Sequence, residues 1–217
     1  MTEVRVAAVV LALVAALLPA SCSGRPDPAP DAATSQAGAV RLAVVGDSIT
    51  EADSPDFDAG RLGPQSWVHH AVGDGVVLAG GWARWGATTA QMAAAVEPVE
   101  ADVLVIVAGT NDVGSGEPAE CTRDNLRRVA EVVGAQRVVL SAVPPIDAAP
   151  HLATELNVEL EDLAAEERWE WVDAPAGLRQ GGRFAEGMAS DGLHPTEAGA
   201  RVLGEAIREV VLDGGGQ

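Results

Sequence analysis

The chain has 217 residues and a formal net charge of -18 at pH 7, and all 14 of its strongly basic residues are arginine. Such a surface repels a polyanionic backbone, which argues against nucleic acid as a partner. Hydrophobic residues make up 47% of the chain, too many for a disordered protein and enough for one medium-sized core.

The segment from Val6 to Ala20 is apolar apart from Pro19 and follows Arg5. It is short for a membrane span. An apolar stretch followed by small residues is the pattern of a signal peptide, here residues 1–22. Leu18-Pro19-Ala20-Ser21-Cys22 resembles the lipobox of bacterial lipoproteins, in which the cysteine is lipidated, although Pro19 stands where an aliphatic residue is usual. The resemblance implies membrane attachment through Cys22; cleavage near Ala20 or Ser21 and release is the other outcome. Residues 23–39 are rich in Pro, Ala, Asp, Ser and Gly and read as a flexible linker. Residues 40–212 then read as one domain, with 213–217 as a disordered tail.

Within the domain, Val40 to Val45 is an apolar run that predicts a buried strand. Glycine at 46 lets the chain turn and presents Ser48 at the strand's carboxyl end. A polar loop spans Glu51 to Gln65. A short helix follows, capped by Ser66 and carrying Trp67, Val68, Ala71 and Val72. Val76 to Ala79 predicts a second strand, with Gly80 to Gly86 as the loop after it, bearing Trp82 and Trp85. Thr88 and Gln91 form a capping box for a helix running to Val96.

Val103 to Ala108 is the most apolar run and predicts the central strand, ending in Gly109-Thr110-Asn111-Asp112. Leu126, Val129, Ala130 and Val133 then show helical spacing. Arg137 to Val143 predicts a fourth strand, stopped by Pro144-Pro145. Leu152, Leu156, Leu160, Leu163 and Ala164 mark a long amphipathic helix. Glu170 to Asp173 predicts a fifth strand, with Trp169 and Trp171 toward the core. A glycine-rich loop, Ala176 to Gly187, leads to Asp191-Gly192-Leu193-His194-Pro195, and a last helix begins near Thr196. Cys121 reads as a buried small hydrophobe. Alternating strands and helices predict an α/β fold with a mainly parallel sheet of about five strands, covered on both faces.

In such a sheet, Ser48, Gly86, Asn111 and the Asp191–His194 turn all follow strand ends and gather at one edge. Their chemistry is complementary. Ser48 is a weak nucleophile until a base takes its proton, and His194 is the one residue of the set whose side-chain type serves as a base near neutral pH. Asp191, three residues earlier across a glycine turn, can reach the far nitrogen of that imidazole. The backbone N–H groups of Ser48 and Gly86 and the amide of Asn111 can hold an oxyanion. The set predicts acyl transfer to water through an acyl-serine. Trp82 and Trp85 flank Gly86 and could either line an acyl or sugar subsite or pack against the adjoining loop. The remaining histidines show no ligand spacing, so no metal is expected. The G-x-S-x-G elbow is absent, because Thr50 takes the last glycine's place.

These blocks carry a family resemblance. Gly46-Asp47-Ser48, Gly86-Ala87-Thr88-Thr89, Gly109-Thr110-Asn111-Asp112 and Asp191-Gly192-Leu193-His194-Pro195 resemble the first, second, third and fifth blocks of the SGNH hydrolases, the GDSL esterase and lipase family. Ala79-Gly80-Gly81 stands where the second block often has an asparagine. The resemblance implies a flavodoxin-like three-layer sandwich, no cofactor or metal, and an ester hydrolase. The expected substrate is a short-chain or O-acetyl ester of carbohydrate or cell-envelope origin, with a fatty acyl ester, lysophospholipid or thioester as the alternative. A non-catalytic envelope binding protein using the same pocket is the reading from another class.

Overall fold

The computed structural model describes residues 38–214. Signal peptide, most of the linker and Cys22 lie outside the described residues. Five strands form one parallel sheet: β1 (Val40–Gly46), β2 (Val76–Ala83), β3 (Val103–Val107), β4 (Arg137–Ser141) and β5 (Glu170–Val172). Their spatial order is β2-β1-β3-β4-β5. That is the doubly wound order of flavodoxin-like sheets, with its switch point between β1 and β3.

The strands are apolar throughout because both sheet faces are covered. Leu42, Val44, Val103, Val105 and Val107 point to one face. Ala43, Val45, Leu104 and Ile106 point to the other, as the two-residue period demands. The first face packs on α2 (Trp67–Ala71) and α7 (Glu197–Asp213) through Trp67, Val68, Leu203, Ile207 and Val211. The second packs on α3 (Thr89–Ala95), α5 (Ala119–Val133) and α6 (Pro150–Glu167) through Met92, Leu126, Val129, Leu160 and Leu163. Leu203 and Ile207 are fully buried, each stabilising the domain by about 1.5–3 kcal/mol. Trp169 and Trp171 are half-buried against this second face.

Four expectations need correction. β2 does not stop at Ala79: a register shift opposite Leu42/Ala43 is a bulge, and Gly80 and Gly81, at φ 151° and 145°, carry the strand on to Ala83. A Cβ at Gly81 would lie 1.9 Å from the Val44 carbonyl oxygen, so the close approach of two backbones requires glycine there. The glycine-rich stretch after β5 is not merely a loop: it holds a 3-10 turn (Ala174–Leu178) and a hairpin of β6 (Arg179–Gln180) and β7 (Arg183–Phe184). Cys121 is exposed, because it sits on the outer side of α5. Asp213 belongs to α7, which continues to Gly214 as its cap rather than breaking off at 212.

Candidate active site

β1 delivers Ser48 into α1 (Ser48–Glu51), a single turn capped by Asp47, whose Oδ1 accepts the Ile49 N–H at 2.9 Å. Gly46 is needed for contact rather than for an unusual dihedral: a Cβ there would lie 2.1 Å from Thr50 Oγ1 and 3.0 Å from the Val107 carbonyl oxygen. Thr50 is in turn fixed by Trp67 Nε1, donating to its Oγ1 at 2.9 Å, and by Ser66 Oγ, donating to its carbonyl at 2.6 Å. The turn at Ser48 is thus anchored in the core.

Ser48 Oγ lies 3.0 Å from His194 Nε2, and His194 Nδ1 lies 2.8 Å from Asp191 Oδ2. Asp191 Oδ1 also accepts the N–H groups of Leu193 at 3.0 Å and His194 at 2.8 Å. The hydrogen bond from His194 holds the Asp191 carboxyl down at about 2, so it is ionised and purely an acceptor. The proton between them therefore sits on Nδ1, which leaves the Nε2 lone pair for the Ser48 hydroxyl. Gly192, at φ 78°, makes the turn that allows this.

The second and third groups of the site follow β2 and β3. Gly86, at φ 71°, precedes α3, and its N–H has no partner among the hydrogen bonds of the described residues; nor has that of Ser48. Asn111 lies in the first turn of α4 (Thr110–Ser115), which starts at Gly109 in a left-handed conformation. Its Nδ2 donates to the Ala87 carbonyl at 2.9 Å and to Asp47 Oδ2 at 3.3 Å. The longer bond is the weaker one and the one an incoming oxyanion can displace. Two N–H groups without a partner among the described residues and one exchangeable amide thus adjoin the Ser48 turn, a donor set suited to developing negative charge.

The family model of GDSL-like lipases and acylhydrolases matches residues 44–202. The chain belongs to this family. Among solved structures, a GDSL-like lipase from Bacteroides thetaiotaomicron is 22% identical at a TM-score of 0.65, with 81% of this chain and 89% of that one covered. A lipase/acylhydrolase from Enterococcus faecalis is 21% identical at 0.64, covering 80% and 96%. A catalytic mutant of an acetylxylan esterase from Geobacillus stearothermophilus is 18% identical at 0.65, covering 80% and 95%. At these identities the likeness establishes the fold. A search of curated proteins found no match.

Of the residues singled out in the sequence of this GDSL-like hydrolase, Ser48, Asp191, His194, Gly86 and Asn111 meet at the sheet's carboxyl edge. Trp85 joins them, its ring centroid 4.8 Å from that of His194. Trp82 does not. It lies within β2 opposite Val45, half-buried against the second-face core, with the Arg84 guanidinium 5.5 Å over its ring. The bulge explains this, because it extends the strand past the point where a loop was expected.

Three aspartates brace the site; Asp47, beside Ser48, is expected from the sequence to hydrogen-bond the nearby loop backbone, whereas no spacing marks Asp112 or Asp147. Asp47 is buried, and burial pushes its carboxyl up to about 7, partly offset by the Ile49 N–H and by nearby His194. Asp112 is buried beneath the Gly86 loop and accepts from Thr89 N at 3.0 and 3.2 Å and from Thr89 Oγ1. It caps α3 from outside and ties the Asn111 turn to the segment carrying Gly86. Asp147 braces the other side: its N–H donates to the Gly192 carbonyl at 2.9 Å, and its Oδ1 accepts the Phe184 N–H at 2.8 Å.

Proposed function

We propose that this chain is an exported serine esterase that cleaves short-chain carboxylic esters, chiefly O-acetyl groups on carbohydrate or cell-envelope material. The alignment of Ser48 Oγ, His194 Nε2 and Asp191 Oδ2 through two hydrogen bonds of 3.0 and 2.8 Å carries the reading. Ser48 Oγ attacks the ester carbonyl carbon while its proton passes to Nε2. The ionised Asp191 stabilises the imidazolium that forms. The oxyanion is held by the N–H groups of Ser48 and Gly86 and by Asn111 Nδ2 as it leaves Asp47. Collapse breaks the bond to the alcohol oxygen, which takes the proton from Nε2. Water then repeats the sequence on the acyl-serine and releases the acid.

Two features favour a small substrate. The concavity at Ser48 holds about 290 Å³, the low end of the range of about 300–1,000 Å³ usual for ligand pockets. The fold is also shared with an acetylxylan esterase. Export rests on the apolar segment from Val6 to Ala20, and membrane attachment on Cys22; Cys22→Ala should release the protein from the membrane fraction.

The decisive test is a panel of p-nitrophenyl esters from acetyl upward. Acetate should be preferred, and Ser48→Ala should lower the rate by about 10⁴-fold or more. Preference for long acyl chains would replace the acetyl reading with a fatty acyl one. A folded protein in which a fluorophosphonate does not label Ser48 would point to a binding protein instead.

A further inference from the structure

The alcohol half of an ester has a defined place in this site. Its oxygen must take the proton held on His194 Nε2, so the alcohol sits on the base side of Ser48, away from Gly86 and Asn111. The concavity at Ser48 lies on that side. Trp85, Ala52, Asp53, Gln65 and Ser190 line it together with His194, and neither Gly86 nor Asn111 does.

Trp85 is 59% exposed, so its indole contributes little to the core, yet it is held firmly. Its Nε1 donates to the Ala52 carbonyl at 2.9 Å and its backbone N–H donates to Glu51 Oε2 at 2.6 Å. Ala52 itself adopts φ 47° and ψ -128°, a left-handed conformation that strains an alanine. The strained residue is the one that turns its carbonyl to the indole. Held in this way, the indole offers a fixed apolar face to the concavity, of the kind that stacks on a flat ligand.

The rest of the lining gives the ligand's chemistry. Asp53, Gln65 and Ser190 are exposed side chains with donors and acceptors at the rim. Two carboxylates, Asp53 and Asp191, line the space and no arginine or lysine does, so an anionic alcohol is disfavoured. A cationic alcohol of the choline type is recognised by a cage of several aromatic rings, and Trp85 is the single tryptophan here. One apolar face with hydroxyls around it is the remaining match: a neutral sugar ring.

We propose that this concavity is the alcohol subsite of the enzyme and that it seats one neutral sugar residue, with the ring against Trp85 and hydroxyls on Gln65 and Asp53. The proposal rests on the esterase reading. It is tested with the full chain on three acetates: an O-acetylated methyl glycoside, p-nitrophenyl acetate and acetylcholine. The nitrophenolate leaves without a proton and has no sugar hydroxyls, whereas the sugar alkoxide needs both His194 and the subsite.

Trp85→Ala and Gln65→Ala should each lower kcat/KM on the glycoside acetate at least about tenfold more than on p-nitrophenyl acetate, mainly through KM. Trp85→Phe should restore part of the loss. Among the described residues Gln65 makes no hydrogen bond to Ser48, His194 or Asp191, so its variant separates sugar binding from disturbance of His194. Equal losses on both substrates, wild-type activity on p-nitrophenyl acetate without activity on the glycoside acetate, or preference for acetylcholine would overturn the subsite and leave the esterase intact. Inactivity on all three acetates, with no fluorophosphonate labelling of Ser48, would remove the esterase reading and the subsite with it.

Discussion

Two aspartates adjoin the reacting groups, and the protein treats them in opposite ways. Asp47, next to Ser48, is 1% exposed and its carboxyl is raised to about 7 by burial. Asp191, three residues from His194, has a side chain 54% exposed and is lowered to about 2, chiefly by its bond to the imidazole. Ser48, the proposed nucleophile, is carried by a turn sunk in the core, and His194, the proposed base, by a turn at the surface. Identical side chains thus take different parts: one carboxyl organises a loop with its charge suppressed, while the other keeps its charge where the proposed mechanism forms a cation.

The widest separation should come from removing the charge at Asp191. Asp191→Asn keeps the size and presents either an oxygen or an amide to Nδ1, so the imidazole loses its assured tautomer and the imidazolium its counter-charge. The rate should fall by about 10³–10⁴-fold while the melting temperature moves little, since an exposed ion pair contributes at most about 1 kcal/mol. Rates and melting curves on the same preparation check this. A fall below tenfold would mean that Asp191 merely caps its turn.

The matching change, Asp47→Asn, should act on stability and its pH dependence. The folded carboxyl holds its proton up to about 7, whereas the unfolded one releases it near 3.8. Asp47 therefore contributes fully below pH 3.8, and the contribution is lost as pH rises through about 7. At about 1.36 kcal/mol per pH unit the ceiling is roughly 4 kcal/mol. Asp191 runs the other way: its contribution is present above pH 3.8 and lost as pH falls through about 2, and solvent screening keeps it small. Melting temperatures from pH 4 to 8 should show the wild type losing stability that Asp47→Asn retains. Parallel curves would contradict the burial argument.

The two sides also differ in how readily they are read from sequence. β1, β3, α5, α6 and α7 follow from apolar runs and helical spacing, because each buries a continuous face. The site residues follow from strand ends, since a parallel sheet brings those together whatever lies between. The β2 extension was hidden because Gly80-Gly81 looks like a stop, while the pair in fact admits a bulge against Val44. α4 and the β6–β7 hairpin are too short to show a period. Asp112 and Asp147 act across 23 and 37 residues through side-chain bonds to distant segments, and no local pattern marks such partners.

Those two braces offer the finest test of the contrast. Asp112→Ala leaves the N–H and hydroxyl of Thr89 buried without their acceptor. Each such loss costs about 1–3 kcal/mol, so the domain should lose about 3 kcal/mol and melt roughly 6–12 °C lower. Asp147→Ala removes one acceptor from the half-buried Phe184 N–H but spares the backbone bond to Gly192. It should cost about 1 kcal/mol, while freeing the hairpin that stands behind the Asp191–His194 turn. Its rate loss should therefore exceed what its melting shift implies, with kcat falling several-fold and KM nearly constant. If Asp112→Ala affected only the rate and Asp147→Ala only the melting temperature, the division between a core-anchored Ser48 and a surface-braced His194 would be wrong.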